Sequence, residues 1–113
     1  MNFKNLLLTF AFGSLLAGPA VAQAGPGVYE PGHPRVNQIN RREQRQQDRI
    51  ANGIRNDRLA PRQAARLERR ENRLVRNERR DMAKDNGHLT RRDQARLNHK
   101  ANRISRSIYR DKH

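Results

Sequence analysis

Asn-Asp-Arg-Leu-Ala-Pro-Arg-Gln-Ala-Ala-Arg-Leu-Glu-Arg-Arg-Glu-Asn-Arg-Leu-Val-Arg, at positions 56–76, returns thirty residues later as Asn-Gly-His-Leu-Thr-Arg-Arg-Asp-Gln-Ala-Arg-Leu-Asn-His-Lys-Ala-Asn-Arg-Ile-Ser-Arg, at 86–106. Nine of the 21 aligned positions are identical: Asn56/Asn86, Leu59/Leu89, Arg62/Arg92, Ala65/Ala95, Arg66/Arg96, Leu67/Leu97, Asn72/Asn102, Arg73/Arg103 and Arg76/Arg106. Leu74/Ile104 and Arg70/Lys100 are near matches. Packing needs only the apolar positions to recur. Here the basic positions recur with them, which points to the surface as the part in use.

Each copy reads as a turn followed by a helix. Asn56-Asp57 and Asn86-Gly87 interrupt the helical period, and Gly87 suits a left-handed position after a helix end. Pro61 fits a first-turn site, where its missing N–H costs nothing. Ala60 before it is a poor cap. Thr90 is a good N-cap, with Asp93 standing in for the Glu of a capping box. Ala64, Leu67, Leu74, Val75 and Met82 make one aliphatic strip; Leu97, Ala101, Ile104 and Ile108 make another. Upstream, Val36, Ile39, Ile50 and Ile54 share an arc of about 60° at 100° per residue. Strand patterns are absent. The expected fold is all-α: three amphipathic helices, at about 36–55, 61–84 and 91–110, in an antiparallel helical-hairpin arrangement carrying the 30-residue internal repeat.

The organisation ahead of the helices follows from composition. Lys4, the apolar run Leu6 to Leu16 and the small residues Ala20-Val21-Ala22 have the form of a signal peptide over residues 1–22. Ala24 is the alternative cleavage site. The apolar run is too short for a spanning helix, which needs about 20 residues. Residues 23–35 read as a flexible Gly/Pro-rich leader, and 36–113 as a basic helical domain. The expected location is periplasmic or secreted. The chain has no cysteine, which excludes disulfides and lipid attachment through an N-terminal Cys.

Lys and Arg number 25 against 11 Asp and Glu, for a net charge of +14 in 113 residues. Arginine dominates, with 21 Arg to 4 Lys. Its planar fork binds carboxylates and phosphates bidentately, although a codon bias toward Arg gives the same ratio. Past residue 22 there are sixteen large apolar residues. That is thin for a core of this size. Either the helices hold one another weakly, or they complete their burial in a homodimer or on a partner.

The arginines are ordered. Arg62, Arg66, Arg69, Arg73, Arg76 and Arg80 lie on the second helix opposite Leu67 and Leu74. Arg92, Arg96, Arg103, Arg106 and Arg110, with His99 among them, do the same on the third. Like charges at i,i+4 destabilise a helix by a few tenths of a kcal/mol per pair. Relief within reach comes from Asp48 to Arg45, Asp81 to Lys84 and Asp93 to Arg96, while Glu68 and Glu71 dilute the field. These eleven arginines are the candidate partner-binding residues; the competing reading is a solvated face that keeps the chain soluble. Suitable partners are acidic or unfolded protein clients, or an anionic polymer or membrane surface. Neither Tyr29 nor Tyr109 lies in the stripes to stack on bases, and no groove-reading motif is present, so sequence-specific nucleic-acid binding is not expected.

Catalytic patterns are missing. His33, His88, His99 and His113 show no i,i+4 pairing and no HExxH. Asp85 to Thr90 resembles part of an EF-hand loop, but Met82 and Lys84 would occupy its first ligand positions. Neither GxSxG nor a P-loop occurs. No paired carboxylates are evident in an apolar setting that would tune them. The expectation is a non-enzymatic protein without cofactor or metal.

The turn-helix starts Leu59-Ala60-Pro61-Arg62-Gln63 and Leu89-Thr90-Arg91-Arg92-Asp93 resemble the paired L-T-x-x-Q motifs of the Spy/CpxP family, small cationic helical proteins of periplasmic stress. The first departs at Ala60, the second at Asp93. The resemblance implies a basic helical dimer that holds clients as an ATP-independent chaperone, or docks on an acidic sensor domain. Arg49-Ile50-Ala51-Asn52-Gly53 and Ala64-Ala65-Arg66-Leu67 also look like uncharacterised exported Arg-rich repeat proteins of proteobacteria, which bring no activity. The expected function is therefore an exported helical binding protein, a Spy/CpxP-like chaperone or envelope-stress modulator acting through basic helix faces. The alternative is a cationic binder of polyanions such as lipopolysaccharide, cell-wall polymer or extracellular nucleic acid.

Overall fold

Proline at the first position starts two of the three helices. In the computed structural model, which describes residues 22–113, α1 spans Pro34–Arg55, α2 Pro61–Ala83 and α3 Arg91–Lys112. The expected signal peptide lies, apart from Ala22, outside the described residues. Among the described residues there is no strand, and no helix is long and apolar enough to cross a membrane. Helix α1 begins at Pro34, two positions before its first core residue, because a proline is preorganised for the first turn.

The two repeat copies differ at their caps. Thr90 and Asp93 form the full box: Thr90 Oγ1 accepts from the Asp93 N–H at 3.0 Å, and Asp93 Oδ2 accepts from the Thr90 N–H at 3.3 Å. At the start of α2, Ala60 offers no oxygen. Only the return half exists there, with the Ala60 N–H donating to Gln63 Oε1 at 2.9 Å.

The turns use a left-handed Gly87 as the sequence required, and two further left-handed residues that it did not announce, Asp57 and Asn86. After α1, Asp57 takes φ 58°. The Arg58 N–H reaches back to the Gly53 carbonyl at 2.8 Å, and the Asp57 N–H to Ile54 at 3.2 Å. That pair of bonds closes a helix end in the Schellman manner. After α2, Asn86 (φ 54°) and Gly87 (φ 90°) are both left-handed, and the Gly87 N–H donates to the Met82 carbonyl at 2.8 Å. Gly53 has a different task. A Cβ there would lie 2.6 Å from Leu59 Cδ1, so its absence lets the turn leucine close the end of the core.

The core joins Val36, Ile39, Ile50 and Ile54 of α1 to Ala64, Leu67, Leu74, Val75 and Met82 of α2 and to Leu97, Ala101, Ile104 and Ile108 of α3. The repeat-related Leu59 and Leu89 are buried at the turns. Helix α3 packs broadly on both others, whereas α1 and α2 meet over less. Hydrogen bonds from Gln38, Arg42 and Arg49 to Asn98 and Ser105 run in the same order along both helices, so α1 and α3 are parallel. The contacts Arg66 to Asp111 and Arg96 to Asp81 run in opposite order, so α2 and α3 are antiparallel.

Of the two ways to bury the aliphatic strips, the chain takes the internal one. Among the described residues, the exposed large hydrophobics are Tyr29 and Tyr109 alone. Each aliphatic strip faces the shared axis, and buried polar side chains fill what the few apolar ones leave. The Gly/Pro-rich segment lies along α1. Asn40 Nδ2 donates to the Gln23 and Val28 carbonyls at 3.1 and 3.0 Å, and Asn37 brackets Glu30 through both backbone groups.

Candidate anion-binding surface and its acidic interior

All eleven arginines of the two stripes are exposed. Four are engaged. Arg66 faces Asp111 at 3.5 Å, Arg80 faces Asp81 at 3.5 Å, and Arg110 donates to Ser107 Oγ at 3.2 Å. Arg96 bridges Asp93 at 2.6 Å and Asp81 at 3.5 Å. The expected relief from Asp93 is present. Asp81 turns away from Lys84, because it is nearly buried and Arg96 reaches it from α3. Asp48 accepts from Gln44 rather than Arg45. With their guanidinium groups standing in solvent, the pairs Arg66–Asp111 and Arg96–Asp93 contribute at most about 1 kcal/mol each.

The other seven, Arg62, Arg69, Arg73, Arg76, Arg92, Arg103 and Arg106, have neither a hydrogen bond nor an ion pair among the described residues. Two of them meet across helices. Arg73 and Arg103 line a groove of about 300 Å³ between α2 and α3, where Arg70 and Lys100 join them. Arg70 and Lys100, repeat-equivalent but outside the two stripes, fall a little off the stripe axis, toward the helix contact.

The arginines of α1 behave differently. Arg42 donates to Asn98 Oδ1 at 3.0 Å and also to Asn102, and Arg49 donates to the Ser105 hydroxyl at 2.6 Å. Between them Gln46 Nε2 donates to the Ala101 carbonyl at 2.8 Å. These side chains zip α1 to α3 and hold the bundle rather than a ligand.

The interior overturns one expectation outright: paired carboxylates do occur in a sheltered setting. Glu43 of α1 and Glu71 and Glu78 of α2 are each 0% exposed. Glu43 and Glu78 are neighbours across the two helices, and the carboxylate oxygens of all three glutamates have no hydrogen-bond partner among the described residues. A buried carboxylate without a partner is costly to keep charged, which favours the protonated form. Burial, then the neighbouring Glu78, push Glu43 well above the ordinary carboxylate range, against Arg79. Burial likewise raises Glu78, with Glu43 and Arg79 opposing. Burial and the charge of Glu43 push Glu71 up to about 9, against Arg42. All three carboxyls lie without exposed surface, and the upward direction of their pKa values couples folding to proton uptake.

The fold also joins two distant histidines. His33 and His88 stack with ring centroids 4.1 Å apart and an interplanar angle of 21°. Stacked rings present parallel edges rather than nitrogens converging on one point. Among the described residues, no group of three or more His, Cys, Asp or Glu could hold a metal ion.

No protein-family model, no curated protein and no solved structure matches this chain. Fold and surface together define an all-α three-helix bundle with an aliphatic and acidic interior and cationic outer faces.

Proposed function

We propose that the chain is an exported, non-enzymatic binding protein that takes an anionic partner on the basic faces of α2 and α3. The observation that carries this reading is the set of seven exposed arginines with no internal partner. Six of them form repeat pairs, Arg62/Arg92, Arg73/Arg103 and Arg76/Arg106. Their mutual repulsion is relieved by an anion, which the field also steers inward. Because the aliphatic strips are buried, the chemistry left for a partner is charge and hydrogen bonding. That favours a polyanion, such as lipopolysaccharide, an acidic cell-wall polymer or extracellular nucleic acid.

The test is binding of a long inorganic polyphosphate at low and high salt. The expected result is a steep fall in affinity as salt rises, and further weakening when Arg62, Arg76, Arg92 and Arg106 are changed together to Gln. Absence of binding at low salt would overturn the reading. Fractionation with N-terminal sequencing checks export, the expected new terminus being Gln23 or Gly25.

A second reading, the Spy/CpxP-like chaperone or stress modulator, uses the same arginines to hold acidic protein. It is supported by Leu89-Thr90 and Asp93, whose capping box gives the second L-T-x-x start its structure. Suppression of aggregation of an acidic client is its test; no suppression by excess protein at low salt would sink it.

A further inference from the structure

The groove between α2 and α3 has an internal symmetry that neither stripe has alone. Arg70 and Lys100, Arg73 and Arg103, Leu74 and Ile104 are repeat-equivalent pairs, and all line it. The Arg70 guanidinium donates to Ser107 Oγ at 2.7 Å, which fixes the register of the two antiparallel helices. Adding and subtracting the thirty-residue repeat turns the pair Arg70–Ser107 into Lys100–Asn77, and Asn77 is also in the lining. A local two-fold axis therefore passes between Arg73 and Arg103, with Leu74 and Ile104 beneath as a floor. Both floor residues are buried. The lining contains four cations and no carboxylate. Lys100, Arg73 and Arg103 have no partner among the described residues.

We infer that this groove is a discrete site for a phosphoryl anion of charge −2 or more, gripped between Arg73 and Arg103 and flanked by Arg70 and Lys100. The inference rests on the reading of the basic faces given above and narrows it to one place and one chemistry. Two guanidinium forks facing each other across an axis match the several oxygens of a phosphate or diphosphate, each fork donating two parallel hydrogen bonds. A monovalent carboxylate can satisfy only one of them. Four cations gathered without a counter-charge in the lining also give an anion a large electrostatic gain here. The phosphoryl group could be soluble, or the headgroup of a lipid whose first carbons rest on Leu74 and Ile104.

Calorimetry on the full chain with inorganic diphosphate as probe, and acetate as the monovalent control, tests the site. One diphosphate per chain is expected, with acetate far weaker. Arg73→Gln with Arg103→Gln should weaken diphosphate by about tenfold or more, the scale of losing charge-assisted hydrogen bonds. Arg41→Gln with Arg45→Gln, on α1, removes equal charge outside the groove and outside both stripes, and should change it by less than about threefold. Circular dichroism verifies that both variants keep their helices. Equal weakening in the two variants, or no diphosphate binding at low salt, overturns the site. Vesicles containing phosphatidic acid separate the sources: binding lost in the R73Q/R103Q variant assigns the lipid headgroup, and diphosphate binding without vesicle binding assigns the soluble ligand. Polyphosphate binding without diphosphate binding sinks the groove and leaves the general reading standing; the converse sinks the general reading alone.

Discussion

Two seams of this bundle treat charge in opposite ways. Between α1 and α2, Glu43, Glu71 and Glu78 are sealed from water and forced toward neutrality. Between α2 and α3, Leu74 and Ile104 pack inside while Arg70, Arg73, Lys100 and Arg103 stand outside in a groove without a carboxylate. Helix α2 contributes to both. The inner charges carry a penalty that a proton removes; the outer charges carry one that a ligand can remove. Equal changes of charge at the two seams should thus have unequal consequences for stability.

The largest consequence is expected at Glu71. Its folded pKa of about 9 exceeds the unfolded value, so its contribution to stability is fully present below the unfolded carboxyl pKa and is lost as pH rises through the folded one. Each pH unit in that window costs about 1.4 kcal/mol. Unfolding by urea should show the protein gaining stability as pH falls from about 9 to about 4.5. Glu71→Gln, which keeps the shape and removes the titration, should stabilise the fold at pH 7 by roughly 3 kcal/mol. It should also flatten the pH slope. Identical slopes in the two proteins would show that Glu71 is charged in the fold, and the contrast between the seams would collapse.

Why these glutamates escaped a reading of the sequence is instructive. In α1 the apolar positions Ile39 and Ile50 are eleven residues apart, and the period that joins them passes through Glu43 and Gln46. In α2, Glu71 falls between Leu67 and Leu74, and Glu78 between Leu74 and Met82, again at spacings of three and four. The helical period alone placed every one of them inside. Residue type argued the other way, since Glu is almost never fully buried unless paired, and no sequence pattern announces that two helices will bring their glutamates together out of water. The helices themselves, their aliphatic faces and the exposure of the eleven arginines were readable, because period and charge agreed there. The groove was half readable: the repeat pairs Arg70/Lys100 and Arg73/Arg103 were visible, but their convergence needed the register set by Arg70 and Ser107.

The next effect in size sharpens the α1–α2 seam at its turn. Gly53→Ala pits about 1 kcal/mol of helix propensity against a Cβ placed 2.6 and 2.7 Å from the Cδ1 and Cγ atoms of buried Leu59. Overpacking of that order costs about 1–3 kcal/mol, so a net loss of up to about 2 kcal/mol is expected in urea unfolding. A stabilised variant would mean that Leu59 moves freely and the seam is loose.

A smaller effect separates the two repeat copies at their caps. Ala60 has φ −71° and ψ 157°, and Thr90 has φ −73° and ψ 166°. The backbones match, so Ala60→Thr should complete in α2 the capping box that α3 already has. The gain is about 1 kcal/mol, with Thr90→Ala losing a similar amount. Thermal melts that leave either variant unchanged would show that these helix ends are fixed by packing alone.

The smallest stability effect is expected where binding should change most. Arg73→Gln with Arg103→Gln removes two exposed charges that have no internal partner, and exposed substitutions of this kind fall within about 0.5 kcal/mol. Loss of repulsion inside the groove should set the sign, a slight stabilisation that fades as salt rises. A loss of more than about 1 kcal/mol would mean that the arginine stems shield Leu74 and Ile104 and that the groove is part of the core. A neutral result against the large response at Glu71 would separate the two seams: charge inside governs whether the bundle folds, and charge outside is free to serve a ligand.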